Sequence, residues 1–117
     1  MGEDFIVSCI ERTESRARLR ALVPHDLRYF SGHFEGNPVL PGIAQLIGLA
    51  HQRGRETFGD LGREKRIARV KFEAMIRPGD ALDLVLERST SGDEAQLRFT
   101  IARGDERCAS GVIVYAS

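Results

Sequence analysis

The sequence predicts an α+β domain in which one long apolar helix packs against an antiparallel sheet. Apolar residues recur at helical spacing after Pro41, and short alternating segments lie on both sides of that helix. The 117 residues suit a single domain, 1–117, and a hydrophobic content of 42% is enough for a core. Turn signals between the alternating segments favour antiparallel pairing.

Two segments before the helix are predicted to form a β-hairpin. Residues 5–10 are apolar and β-branched, residues 16–23 alternate charged and apolar side chains, and residues 11–15 form a polar turn between them. Residues 24–30 are expected to form a short helical turn. Three glycines and two prolines within residues 31–42 exclude a regular element there.

The helix is predicted to begin near Pro41, because a proline costs no hydrogen bond in the first helical turn. Its apolar pattern runs to about Phe58, and Gly59 is expected to end it. A helix as apolar as this one is usually wrapped by other elements. Gly48 lowers its helix propensity and is expected to permit a close backbone approach.

Four further strands are predicted to form an antiparallel meander at residues 65–73, 81–87, 95–102 and 108–115. In the first of these strands, Ile67, Val70 and Phe72 are the expected inward set, and a slip in their phase indicates a bulge. Asp80 is expected to make a hydrogen bond in the turn before the second strand. A sheet that covers a single helix keeps an open edge and a partly apolar face, which pairing with a second subunit would cover.

Charge and composition exclude several classes of function. The 17 basic and 17 acidic residues balance, which argues against binding to nucleic acid or an anionic membrane. No apolar run approaches the roughly 20 residues that cross a bilayer, and the acidic N-terminus does not resemble a signal peptide, so a cytoplasmic location is expected. Cys9 and Cys108 are expected to be free thiols, and the absence of ligand and nucleotide motifs predicts no metal and no cofactor.

The loop before the helix carries the candidate chemistry. His33 lies in a stretch constrained by glycine and proline that leads directly into the helix start. The N–H groups around Gly42 and Ile43 have no partner within the helix and lie at the positive end of its dipole. A histidine beside such donors suits proton abstraction next to a carbonyl, or attack on it. An ordinary hydrogen-bonded loop histidine before a helix explains the same residues.

The string GHFEGNPVLPG at residues 32–42 resembles the active-site loop of hotdog-fold 3-hydroxyacyl-acyl-carrier-protein dehydratases, which are the FabA/FabZ-like and ApeI-like enzymes. Within it, Glu35 stands where the family has a proline. The string KFEAMIRPGD at residues 71–80 resembles the family's later strand and turn at the same spacing. The resemblance extends over roughly residues 5–115 and implies a hotdog fold, a long central helix wrapped by a curved antiparallel β-sheet.

The resemblance also implies an activity and its partners. The expected substrate is a 3-hydroxyacyl thioester on the phosphopantetheine of an acyl carrier protein, in fatty-acid or polyketide/aryl-polyene-type synthesis. His33 matches the family's catalytic base, and Gly42 matches the glycine whose N–H holds the thioester carbonyl. A dimer is expected, either of identical chains or with another hotdog subunit. Substrate-binding positions carried over from the family are Phe34, Gly36, Pro38, Val39, Leu40, Ile43, Gln45, Leu46 and Ile47.

One departure from the family leaves three hypotheses open. Ile47 occupies the position, fourteen residues after the histidine, where the family has a carboxylate that acts as or positions the acid, and no Asp or Glu occurs between residues 36 and 55. The first hypothesis is a dehydratase that uses a substitute polar group: Gln45, Glu35 or His51. The second is an acyl thioesterase that uses the same histidine, and the third is a non-catalytic hotdog partner subunit or acyl binder.

Five cations crowd the end of the helix and the start of the next strand: Arg53, Arg55, Arg63, Lys65 and Arg66. A basic rim of this kind would steer an acidic carrier protein towards the site. Cations at a helix C-terminus also suit the helix dipole without any partner, and this simpler explanation is favoured.

Overall fold

The structure is a computed structural model that describes residues 4–25, 40 and 42–116, without the side chain of Ile43. Within these residues, the strands are β1 (Ile6–Arg12), β2 (Arg16–Leu22), β3 (Glu64–Phe72), β4 (Ala81–Ser91), β5 (Glu94–Arg103) and β6 (Glu106–Ala116). The predicted helix runs over residues 42–57 as α1 (Gly42–Ala44), a π-helical segment π1 (Gln45–His51) and α2 (Gln52–Thr57). The α+β prediction is therefore confirmed, whereas most of the predicted turn at 24–30 lies outside the described residues.

The six strands form one antiparallel sheet in the order β1-β2-β4-β5-β6-β3. The predicted hairpin of β1 and β2 is confirmed, and so is the meander from β4 to β6. The prediction that β3 begins this meander is wrong, because β3 pairs with β6 at the sheet edge. After β3, the chain crosses to the other side of the sheet. There the Gly79 N–H donates at 2.7 Å to the carbonyl of Val23, the residue directly after β2.

The core lies between the helix and one face of the sheet. The predicted inward sets of β4 and β5, which include Leu84, Leu97 and Phe99, are fully buried. From the helix, Leu49 and Ala50 are buried against them. Each fully buried leucine or phenylalanine contributes about 1.5–3 kcal/mol, so this shared layer holds helix and sheet together.

The predicted inward set of β3 is wrong for two of its three residues. Ile67 and Phe72 are each 49% exposed, and Val70 is partly buried. Because β3 is an edge strand of the described sheet, β6 is the only described strand beside it. The predicted bulge is confirmed, since the register with β6 shifts between Ala68 and Lys71.

Close approach of the helix to the sheet depends on Gly54. A Cβ at this position would overlap the side chain of Leu97, which is fully buried in β5. Gly54 therefore permits a close backbone approach of the kind that was predicted for Gly48. The approach at Gly48 itself stays a prediction. The turn before β4 forms as predicted, with the Arg77 N–H donating to Asp80 Oδ2 at 2.9 Å.

Both cysteines are free thiols, as predicted, with Cys9 exposed and Cys108 buried. Burial raises the pKa of the Cys108 thiol, which makes that side chain a poor nucleophile at neutral pH. Among the described residues, no helix is long and apolar enough to span a membrane. The same part of the chain holds no group of three or more His, Cys, Asp and Glu side chains that suits a metal ion.

The replacement of Gly62 by alanine is expected to destabilise the fold by about 1–3 kcal/mol. The Gly62 N–H donates to the Ala116 carbonyl at 2.9 Å, and a Cβ on Gly62 would overlap that same backbone oxygen. The backbone must then shift where β3 begins and β6 ends. Urea unfolding of the two proteins measures the difference.

The matched control is the replacement of Gly59 by alanine, because no described atom lies within 4 Å of the position its Cβ would take. That variant is expected to differ from the native protein by less than about 0.5 kcal/mol. Equal unfolding midpoints for the Gly62 and Gly59 variants would contradict the close approach at Gly62.

Candidate active site

A cavity of about 290 Å³ lies at the start of the helix. Its described lining combines the beginning of the helix with the end of β3 and the chain that follows it: Leu40, Gly42, Gln45, Phe72, Glu73, Ala74 and Met75. The first N–H groups of a helix have no intrahelical acceptor and carry the positive end of its dipole. The cavity therefore brings donors that have no acceptor within the helix next to a space that a small acyl group can enter.

Gly42 keeps the helix start open on the side of β3. The Phe72 ring atoms Cε2 and Cζ come within 2.9 Å of the position a Cβ on Gly42 would take. Any larger residue at 42 would push the half-exposed Phe72 ring away from the helix or fill the cavity. The resemblance predicts a glycine here whose N–H binds a carbonyl oxygen, and the open space beside the Gly42 backbone is compatible with that role.

Gln45 supplies an unpaired acceptor at the same cavity. Its side chain is only 3% exposed, and its Nε2 donates to the Leu40 carbonyl at 3.2 Å. Its Oε1 is buried and has no hydrogen-bond partner within the described part of the chain. A buried acceptor without a partner costs about 1–3 kcal/mol, so Oε1 is suited to a water molecule or to the hydroxyl of a ligand.

Glu73 is the residue that sequence reasoning missed. It lines the cavity directly after β3, and its N–H donates to the Cys108 carbonyl at 2.8 Å, which holds its backbone beside β6. Arg107 Nε donates to Glu73 Oε2 at 2.7 Å and orients the carboxylate. The available signal was the segment KFE, in which this carboxylate directly follows the Lys-Phe pair of the family motif.

The remaining predicted site residues are distributed as follows. His33, Glu35, Phe34, Gly36, Pro38 and Val39 lie outside the described residues. Leu46 packs against the core, and Ile47 is 48% exposed and is not among the described residues that line the cavity. The backbone of Ile43 lies in α1, next to Gly42. The structure thus brings Leu40, Gly42 and Gln45 together with Glu73.

His51 is engaged farther along the helix, as the last residue of π1. Its Nδ1 lies 2.8 Å from the Tyr115 hydroxyl, and its Nε2 lies 3.3 Å from Glu64 Oε1. Burial raises the pKa of Tyr115, so this phenol stays protonated. His51 lies nine positions after Gly42, and it is not among the described residues that line the cavity. Within this chain His51 therefore does not reach the cavity as a substitute acid.

Four of the five cations of the predicted basic rim bind groups of this chain: Arg53, Arg55, Lys65 and Arg66. Arg53 is buried, and its guanidinium contacts both Asp4 and Glu56. Arg66 and Lys65 share the carboxylate of Glu94 and lower its pKa to about 2. These contacts favour the explanation that the cations of this rim bind groups of their own chain near the helix end, rather than an acidic carrier protein.

Comparison with known proteins identifies relatives of this chain. The family described as ApeI-like, ApeI dehydratase, matches residues 9–112. The chain is 33% identical, over 101 residues, to the 3-hydroxyacyl-[acyl-carrier-protein] dehydratase FabZ of Ralstonia nicotianae, with 75% of this chain and 62% of that protein covered. It is 35% identical to the protein of the same name from Chloroflexus aggregans, with 86% and 75% covered. The chain thus spans a little under two thirds of the first relative's length.

A solved structure described as the dehydratase heterocomplex ApeI:P from Xenorhabdus doucetiae shares the fold. It matches with a TM-score of 0.82 over 98% of this chain and 100% of that chain, at 22% sequence identity. The hotdog fold and the family that the loop predicted are both confirmed.

Proposed function

The chain belongs to the ApeI-like dehydratase family, and we propose that it removes water from 3-hydroxyacyl groups held as thioesters on the phosphopantetheine of an acyl carrier protein. The observation that carries this proposal is the cavity in which the helix start at Gly42 meets Gln45 and Glu73. Both curated relatives described above bear the name of this activity. The pathway in which the chain acts would be fatty-acid or polyketide/aryl-polyene-type synthesis.

The first step is the removal of a proton from C2 of the acyl chain by His33, the base that the family motif assigns. The electron pair of the broken C–H bond moves towards the thioester carbonyl, and negative charge develops on its oxygen. The N–H of Gly42 donates to that oxygen, and the helix dipole adds to the stabilisation. Donors that are already oriented need no rearrangement when the charge appears.

The second step is the loss of the 3-hydroxyl group. The electron pair returns to form the C2–C3 double bond, the C3–O bond breaks, and the proton taken by His33 goes to the leaving oxygen, so that one water and a 2-enoyl thioester result. Gln45 Oε1 and the Glu73 carboxylate accept hydrogen bonds from the hydroxyl and then from the departing water. They thereby orient the 3-hydroxyl group. Ile47, which occupies the family's carboxylate position, is apolar and cannot do so.

The test of the proposed function is turnover by the purified chain. A 3-hydroxyacyl carrier protein is expected to lose the mass of one water in mass spectrometry, and a trans-2-enoyl carrier protein is expected to gain it. Release of free carrier thiol instead would identify a thioesterase. No interconversion at any chain length would contradict the proposal and favour a partner subunit or acyl binder.

The proposed enzyme works as a dimer through β3, either of identical chains or with another hotdog subunit. No strand of the described residues pairs with the outer side of the edge strand β3. Apolar side chains are exposed on β3, on the chain that follows it and on the helix: Ile47, Ile67, Phe72 and Met75. An edge strand with exposed apolar residues is suited to pairing with a second sheet.

The replacement of Ile67 by lysine is expected to convert the dimer to monomers, because it places a charge in the middle of the proposed interface. Ile10, which is also about half exposed but lies on the opposite edge strand β1, is the matched control, and Ile10→Lys is expected to stay dimeric. Light scattering after size exclusion gives the mass of each variant. Dimers that survive Ile67→Lys, or dissociate only with Ile10→Lys, would contradict an interface at β3.

A further inference from the structure

The turn at residues 77–80 has a geometry that its own sequence fixes. The Arg77 N–H donates to Asp80 Oδ2 at 2.9 Å, and the Asp80 N–H donates to the Arg77 carbonyl at 3.2 Å. Gly79 has a φ of 88°, a left-handed conformation that glycine adopts without strain. The string RPGD therefore builds a closed turn, which begins two residues after Met75 of the cavity lining.

The turn and the residue before it hold two distant points of the chain. The Val23 N–H donates to the Asp80 carbonyl at 3.0 Å, and the Gly79 N–H donates to the Val23 carbonyl at 2.7 Å. The Leu40 N–H donates at 2.7 Å to the carbonyl of Ile76, the residue before the turn. Two points that are seventeen residues apart in the sequence are thus fixed on one short segment.

These hydrogen bonds form in a part of the molecule from which water is excluded. Val23, Leu40 and Ile76 are each at most 2% exposed. A backbone group buried in this way has no water to replace a lost partner, so each bond resists opening. Because His33 lies between Val23 and Leu40 in the sequence, the turn fixes the two points between which the chain with the proposed base runs.

Arg103, the last residue of β5, holds the turn in place. Its Nη1 donates to Asp80 Oδ2 at 2.7 Å and to the Met75 carbonyl at 2.8 Å, and its Nη2 pairs with the carboxylate of Glu106 in β6. We name these contacts the Arg103 clamp. Hydrogen bonds between charged groups are stronger than neutral ones, and the Asp80 side chain is only 20% exposed, which limits screening by salt.

The Arg103 clamp acts on the cavity through the same segment. Met75, whose carbonyl accepts from Arg103, lines the cavity together with Leu40. Gln45 Nε2 donates to the Leu40 carbonyl, so a side chain that binds the 3-hydroxyl group in the proposed mechanism depends on the same anchor. Arg103 is not among the described residues that line the cavity, so its effect on the reaction passes through the groups that it holds.

We propose that Arg103 is a positioning residue for the dehydration. By holding the turn, it fixes the anchors at Val23 and Leu40 and the cavity wall at Met75, and it thereby keeps His33 aligned with the cavity. This inference rests on the proposed function. A loosened anchor shifts the base relative to the thioester, and a shift of about 1 Å can lower a rate roughly 100-fold.

The test replaces Arg103 by alanine, which removes the clamp and leaves both hydrogen bonds within the turn. The kcat for a 3-hydroxyacyl carrier protein is expected to fall about tenfold or more, with a change in KM of less than about threefold. Free guanidinium chloride, at a concentration too low to unfold the protein, is expected to restore part of kcat, because this cation can bind the carboxylates of Asp80 and Glu106. Sodium chloride at the same ionic strength is expected to restore none of it.

The rescue separates positioning from stability. Guanidinium weakens the folded state of proteins, so it would lower rather than raise the activity of a variant that is merely destabilised. A loss of kcat that guanidinium does not restore would therefore assign Arg103 to stability alone and overturn the proposal. A native kcat in Arg103→Ala would overturn it as well.

Arg88→Ala is the matched control. Arg88 Nη1 donates to Asp60 Oδ1 at 2.7 Å, which is the length of the bond between Arg103 and Asp80, and neither Arg88 nor Asp60 is among the described residues that line the cavity. This variant is expected to change kcat less than about twofold and to gain nothing from guanidinium. An equal loss of kcat in Arg88→Ala and Arg103→Ala would contradict a specific role for Arg103.

Asp80→Asn tests the clamp from the other side, and it decides the matter if Arg103→Ala does not fold. Asparagine keeps an oxygen that can accept from the Arg77 N–H, but it lacks the charge that pairs with Arg103. The kcat is expected to fall by a similar factor, and the double variant is expected to lose no more than either single one. An unchanged kcat in Asp80→Asn would overturn the proposal.

If the native protein turns over no substrate, the proposed function fails, and amide hydrogen exchange then decides on the Arg103 clamp alone. The N–H groups of Leu40 and Gly79 are expected to exchange about tenfold faster in Arg103→Ala than in the native protein, and at the native rate in Arg88→Ala. Native exchange rates in Arg103→Ala, or rates that rise equally in both variants, would overturn the clamp.

Discussion

Replacement of His33 by alanine is expected to lower kcat/KM for dehydration by about 10²–10⁴-fold, which is the usual contribution of a general base. An alanine cannot take the C2 proton, and water in a small cavity replaces a positioned base poorly. Urea unfolding of the same variant separates the two causes of a loss, because an unchanged midpoint would place the loss in catalysis rather than in folding.

The matched control is the replacement of His25 by alanine, since this second histidine is exposed and lies outside the cavity. It is expected to change kcat/KM less than about twofold. Mass spectrometry of the acyl carrier protein at fixed times measures both variants. A His33 variant with the native rate would show that another group takes the C2 proton and would remove the central residue of the proposed mechanism.

Replacement of Glu73 by glutamine is expected to lower kcat by about 10- to 100-fold with a smaller change in KM. Glutamine has nearly the same shape but no negative charge, so it loses the ion pair with Arg107 and accepts more weakly from the hydroxyl and the departing water. Glu73→Asp keeps the charge on a shorter side chain and is expected to retain more of the rate. A purely structural role would not separate these two variants by kcat.

Two further variants complete this test. Glu14→Gln changes an exposed carboxylate in the hairpin turn, which is not among the residues that line the cavity, and is expected to keep the native rate. Ile47→Glu restores a carboxylate at the family's helix position, where the side chain is half exposed and does not line the cavity of this chain. If Glu73→Gln keeps full activity while Ile47→Glu raises the rate at least tenfold, the helix position would be the one that faces the substrate, and the role proposed for Glu73 would be wrong.

Local patterns in the sequence were sufficient to predict the secondary-structure elements and the family. The alternation that places Leu97 and Phe99 inward is a property of neighbouring residues, and so is the helical spacing that ends near Phe58. The hairpin of β1 and β2 needed only a polar turn between two alternating segments. The loop motif around His33 identified the family because its glycines and prolines are closely spaced in one continuous string.

The pairing of β3 depends on contacts between residues distant in the chain. Nothing in residues 64–72 indicates that β6 rather than β4 is the partner, because an alternating pattern marks a buried face and not the neighbour that hydrogen-bonds to it. The edge position follows from that pairing, and with it the exposure of Ile67 and Phe72.

The same long-range pairing assembles the candidate active site. Glu73 reaches the cavity because β3 ends beside the helix start, and Arg107 holds it from a strand more than thirty residues later. The order of residues along the chain does not show that Glu73, Arg107 and the helix start are neighbours. Hydrogen bonding across the sheet and the burial of the helix bring them together.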